Sequence, residues 1–163
     1  MSRAFVKESD GELPVDLPEL PLSPHTNYVT ARGLGQLNAR LADSEQRAAR
    51  LNADAVLERD YLARHIRWLQ ARLASALPVT PRDSDLDRVG FGASVEVLDE
   101  NERRIRYRIV GEDEADPEHG LVSWISPLAR ALTGARVGDT AIWQRPDGNL
   151  EIRIVGIDFS GEG

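Results

Sequence analysis

Cysteine is absent from the 163 residues and methionine occurs once. Disulfides, thiolate nucleophiles and thiolate-held zinc are therefore excluded. A chain without cysteine suits a reducing compartment, and the expected localisation is cytoplasmic. No apolar run approaches the ~18 residues needed to cross a bilayer, and the opening MSRAFVKESDGELP lacks the apolar stretch of a secretory signal. Lysine is nearly missing too, since Lys7 is the sole lysine among 20 basic residues. Against 27 acidic residues these leave a net charge of −7, so the chain as a whole is not built to coat a nucleic-acid backbone. Any dealing with nucleic acid is local or indirect. The length allows one ordinary globular domain with an appendage.

Motifs for chemistry are equally sparse. The only phosphate-loop candidate is GFG at 90–92, which lacks a third glycine, a lysine and a following helix and reads as a turn entering a strand. His25, His65 and His119 stand far apart in unlike segments, with no HExxH spacing. Ser126 has neither a nearby histidine nor the glycines of a nucleophile elbow. No active site complete within this chain is visible, and no intrinsic cofactor is implied.

What is present falls into three parts. Residues 1–27 hold Pro14, Pro18, Pro21 and Pro24 among Glu8, Asp10, Glu12, Asp16 and Glu19, a composition too poor in apolar surface to offset its ordering entropy. A disordered acidic arm is expected there, either a solubilising tail or a partner-binding segment anchored by Phe5 and Val6. From Ala31 to Ala76 proline vanishes and strong helix formers dominate. Thr30 is placed to cap the first turn. Leu34, Leu37, Leu41, Ser44, Ala48 and Leu51 follow alternating three- and four-residue spacings, and Leu62, Ile66, Leu69, Leu73 and Ala76 repeat them. Between the runs, Asn52 and Asp54 favour a turn. An antiparallel hairpin over 28–77, with its tip near 52–58, buries each seam against the other; the alternative is an intermolecular coiled coil.

Pro78 and Pro81 end the second helix and open a linker, 78–90. Over 91–160 the period drops to two. Val95 and Val97, then Ile105, Tyr107 and Ile109, then Leu150, Ile152 and Ile154 mark one face of three strands, and 121–125 and 140–144 supply two more. Pro146, Asp147 and Gly148 form a hairpin turn. SPLARAL has the Ser-Pro start of a short helix, which Gly134 stops. The fold class expected is α+β, a helical hairpin followed by an antiparallel sheet with one short helix. Arg104, Arg106 and Arg108 share the other face of their strand, and the acids that follow favour a solvated face over a phosphate grip.

The hairpin is polar in a particular way. Eight arginines, from Arg32 to Arg72, line its shaft, while Asp54, Glu58 and Asp60 gather near the tip. A basic rod with a carboxylate end suits a channel whose floor holds Mg²⁺, because carboxylate oxygen is a natural ligand for that ion. Acids near a helix N-terminus are also common as capping residues, so both readings stand.

The segments NYVTARGLGQLNARL, RHIRWLQARL, VEVLDENERRIRYRIVGEDEAD and SPLARAL with the later VGD resemble the Gre family of bacterial transcription elongation factors. The likeness covers about residues 27–160. It implies an FKBP-like C-terminal domain docked outside the secondary channel of RNA polymerase, with the hairpin inserted toward the active site. There Asp54, Glu58 and Asp60 would help hold a second Mg²⁺ shared with the polymerase, and the docking surface would include Ser123, Ile125, Ser126 and Pro127. The protein would be monomeric, without membrane contact, touching nucleic acid only through the elongation complex, and at most stimulating the polymerase's own RNA cleavage. Two departures bear on this. The tip reads DAVLERDY at 54–61, without the family's Gly and Ser and with Glu58 one residue late, and the hairpin is shorter by about ten residues per helix, ~15 Å of reach at 1.5 Å per residue. Ile125 stands where cleavage factors usually carry Asp before Ser-Pro. These departures favour a factor that competes with cleavage factors. A true cleavage factor is the alternative, and a dimeric coiled-coil module without polymerase binding is the alternative of another class.

Overall fold

The computed structural model describes residues 17–161. A two-residue strand, β1 (Tyr28–Val29), leads into helix α1 (Ala31–Arg50), and helix α2 (Val56–Ser75) returns to a second short strand, β2 (Leu77–Pro78). Thr30 starts α1 because its backbone is extended and its Oγ1 accepts from Gly33 N at 2.9 Å, satisfying one of the free amides of the first turn. The seam forms as its spacing requires. Leu37 and Leu69 are fully buried against each other's helix, with Leu34, Leu41, Trp68, Leu73 and Ala76 packed around them. At the open end β1 and β2 pair in parallel. Leu77 N donates to Asn27 O and Val79 N to Val29 O, so Pro78, which has no N–H, falls on the position that needs no donor.

The sheet comprises β3 (Ser94–Leu98), β4 (Arg104–Val110), β5 (Leu121–Ser123), β6 (Thr140–Trp143) and β7 (Leu150–Asp158), in the order β5-β4-β3-β7-β6. Helix α3 (Pro127–Leu132) covers one face and buries Leu128, Ala129 and Leu132 against Val95, Val97, Ile109, Ile152 and Ile154. These are the alternating residues that the sequence placed inward. On the opposite face Arg104 pairs with Glu96, and Arg106 pairs with Asp158 at 3.2 Å, so these two are solvated and ion-paired, while half-buried Arg108 donates to the Gly161 carbonyl. Gly134, at φ 86°, follows α3, and Gly148, at φ 113°, closes the turn between β6 and β7.

Two details of the sheet differ from expectation. The sheet is mixed, because β5 runs parallel to β4. The intervening residues make two 3-10 turns, Glu112–Glu114 and Pro117–His119, and reverse at Gly120, whose φ is 74°. The strand expected at 121–125 stops at Ser123, where the chain turns into α3. Within the segment expected as a linker, 78–90, lie Pro78 of β2, a 3-10 turn at Asp83–Asp85, and Val89, 2% exposed and part of the sheet core. Of the arm expected over 1–27, residues 1–16 lie outside the described residues. Residues 17–26 have neither helix nor strand, yet they are held along α2 by side-chain bonds to its arginines and Trp68.

Candidate functional site

The tip is the five-residue link Leu51–Ala55. It turns on backbone bonds: Ala55 N donates to Asn52 O at 3.2 Å, Val56 N to Asp54 O at 2.9 Å, and Arg59 Nη2 returns to Asn52 O at 2.8 Å. No side chain caps α2, so neither Asn52 nor Asp54 is used as an N-cap. Asp54 and Glu58 are exposed and Asp60 is half-buried. Glu58 and Asp60 are two residues apart on α2, hence about 200° apart around it, while Asp54 lies before the helix begins. Glu58 and Asp60 therefore lie on different sides of α2, and among the described residues no group of three acidic, histidine or cysteine side chains is placed to hold a metal ion. The tip on its own does not fit a metal site.

Apolar and basic groups surround these acids. Val56, Leu57 and Tyr61 are exposed large hydrophobics at the start of α2, and the Arg64 guanidinium lies 5.2 Å from the Tyr61 ring centroid. One turn on, His65 stacks on Trp68 with ring centroids 6.0 Å apart, and Arg40 covers Trp68 from α1. Burial lowers the pKa of His65, and the charges of Arg40 and Arg47 lower it further, so the ring is held toward its neutral form.

The four residues expected at the docking surface sit together where β5 turns into α3. Ser123 O accepts from Ser126 N at 2.9 Å, and Ser126 Oγ caps α3 by accepting from Ala129 N at 3.2 Å. Pro127 takes the first helical position, where its missing N–H costs nothing. The two serines thus shape the turn, leaving exposed Pro127 and half-buried Ile125 to present an apolar surface.

A third group of residues fixes the hairpin to the sheet domain, and sequence reading missed it. Arg72 of α2 is buried, donating from Nε to Asp113 at 2.7 Å and from Nη2 to Asn27 Oδ1 at 2.8 Å, with Glu112 at 3.8 Å. Asn27 Nδ2 in turn donates to the Arg72 carbonyl at 2.7 Å. Thr30 Oγ1 donates to Glu114 Oε2 at 2.5 Å while accepting from Gly33 N. A Cβ at Gly33 would lie 2.7 Å from that same carboxylate oxygen, and one at Gly111 would run into the Tyr28 carbonyl. Tyr28 packs edge-on to Trp124 at 5.0 Å. The signal in the sequence is the pair NYVT and GEDEAD, two of the segments that carry the family resemblance; the structure brings them into contact.

The chain is similar to known proteins. A family model described as the C-terminal part of the transcription elongation factors GreA/GreB matches residues 83–159. Transcription elongation factor GreB of Neisseria meningitidis serogroup B is 42% identical over 97 residues, which is 59% of this chain and 60% of that protein. The chain thus spans less than two-thirds of that relative's length. Transcription elongation factor GreA of Methylobacterium nodulans is 39% identical over 133 residues, covering 80% of this chain and 78% of the relative. Among solved structures, GreA factor homolog 1 of Thermus thermophilus aligns over 82% of this chain and 99% of its own, at 24% identity and a TM-score of 0.41.

Proposed function

The chain belongs to the GreA/GreB family of transcription elongation factors, and from that premise we propose that it regulates elongation by binding RNA polymerase at the secondary channel. The hairpin enters the channel and the sheet domain docks outside through the turn at Ser123–Pro127. The factor has no enzymatic activity of its own. It occupies the channel and competes with cleavage factors without stimulating cleavage.

The tip is the observation that carries the competitor reading. A shared Mg²⁺ requires carboxylate oxygens at ~2.0–2.1 Å, a reach that a distant charge cannot replace. Each helix has 20 residues, about 30 Å at 1.5 Å rise per residue, and Glu58 and Asp60 near its end lie on different sides of α2. A stalk this short, whose tip acids form no group of three fit to hold a metal, supports occupation of the channel better than metal ligation within it. Ile125, an apolar side chain beside Pro127, supports a docking contact of apolar rather than acidic character.

A backtracked elongation complex in Mg²⁺ tests this. The wild-type protein is expected to leave the RNA uncut and to inhibit an authentic cleavage factor, with inhibition retained in Asp54→Ala and Glu58→Ala. Robust cleavage by the wild type that is lost in both variants would overturn the competitor reading in favour of a catalytic tip.

A further inference from the structure

The segment 17–26, LPELPLSPHT, is laid along α2 in register with one stripe of its surface. The Pro18 carbonyl accepts from Arg64 Nη1 at 3.1 Å, Glu19 receives a forked bond from Arg67 at 2.5 and 3.0 Å, and the Pro21 carbonyl accepts from Trp68 Nε1 at 3.1 Å. Arg64, Arg67 and Trp68 are spaced i, i+3, i+4, the spacing of neighbours on one helix face. Prolines suit this role, because they hold the chain extended, carry no donor of their own, and leave their carbonyls free. Leu20, between these contacts, lines a cleft with Leu57, Tyr61, Leu62 and His65.

The attachment is graded along its length. At the hairpin base, Asn27 is 5% exposed and bonds to the Arg72 carbonyl and to Ser75 Oγ, and Ser23 Oγ reaches Glu112 at 2.9 Å. Toward the tip, the Glu19 and Arg67 side chains are 62% and 54% exposed. Exposed ion pairs are weak and screened by salt, so residues 17–22 are readily detached while 23–29 stay fixed. When attached, the segment occupies Arg64 and Arg67 with a carboxylate and backbone carbonyls. These are the same groups that a carboxylate-lined protein wall would offer to a basic hairpin.

We propose that residues 17–22 are a displaceable strap that competes in cis for Arg64, Arg67 and Trp68 with an acidic surface of the hairpin's partner, and so restrains hairpin engagement. The inference rests on the polymerase reading for the identity of the partner but not for its chemistry. A strap closed about nine-tenths of the time lowers apparent affinity about tenfold, because only the open fraction binds.

The test uses the full chain carrying Glu19→Arg, with Glu118→Arg as a control of equal charge change on an exposed turn. Release is read at the Trp68 indole N–H, which donates to the Pro21 carbonyl and is expected to exchange faster in Glu19→Arg alone, with the amides of α1 and α2 unchanged. Affinity is then read against two probes, core RNA polymerase and poly-L-glutamate. The strap predicts that Glu19→Arg binds both about tenfold tighter than Glu118→Arg does. Equal affinities of the two variants for poly-L-glutamate, with the strap shown to be released, would overturn the proposal. If no variant binds polymerase, the polymerase reading fails, and the poly-L-glutamate comparison still decides the strap.

Discussion

Arg72 is the residue on which the two halves of the molecule depend. It joins α2 to the acids after β4 and to Asn27, and its side chain is 4% exposed. Replacing it with Met leaves Asp113 and Glu112 without their cation. The expected cost is about 3 kcal/mol, near the lower end for breaking a buried pair, because both acids retain some solvent. Urea unfolding checks this; an unchanged midpoint would show that the pair is dispensable. Asp99 plays a smaller role in the turn between β3 and β4. Its carboxylate accepts from Arg103 N and Asn101 N at 3.0 and 2.8 Å and pairs with the Arg103 guanidinium at 2.8 Å, and these bonds, the Arg103 amide first, lower its pKa. A lowered folded-state pKa means that the stabilising contribution is present above the unfolded value of ~3.9 and is lost as pH falls through the folded value. Asp99→Asn is therefore expected to reduce stability at neutral pH and to flatten the acid limb of the melting temperature against pH. An unaltered acid limb would rule out the Asp99 contribution. Neither residue was legible in the sequence, because an arginine on a basic shaft and an acid in a turn look like ordinary solvated groups until the partners that neutralise them are brought near.

At the scale of elements, the hairpin was readable because its signal is periodic. Thr30 as cap, the leucine seam and the turn after Leu51 stand where their spacing put them. The parallel β4–β5 pair was not readable, since three residues of β5 carry no sign of strand direction and the reversal at Gly120 sets it. The two glycines of α1 separate packing from propensity. A Cβ at Gly35 meets nothing within 4 Å, so Gly35→Ala is expected to stabilise by roughly 0.5–1 kcal/mol through helix propensity. Gly33→Ala would press on the Glu114 carboxylate that Thr30 holds, and it is expected to destabilise despite the same gain in propensity. Denaturant midpoints that move the same way in both variants would refute this reading of the hairpin base.

At the scale of the whole molecule, the hairpin is a basic stalk fixed at its base by buried polar bonds and strapped along one side. It is joined to a sheet domain that presents an apolar turn. The sequence located the tip acids Asp54, Glu58 and Asp60 but not their placement, Asp54 before α2 and Glu58 and Asp60 on different sides of it. It located Ser126 at the start of α3, where it serves as cap, but not the turn that the Ser123 carbonyl makes with Ser126 N. The central claim is that this stalk enters the polymerase channel and stops short of the catalytic metal. Because the chain has no cysteine, Asp54→Cys creates a unique attachment point for a tethered hydroxyl-radical source at the tip. In complex with core RNA polymerase, cleavage of the polymerase chains is expected along the walls of the secondary channel and absent at the active-site metal. Cleavage at the metal site itself, or no cleavage of polymerase at all, would contradict the account.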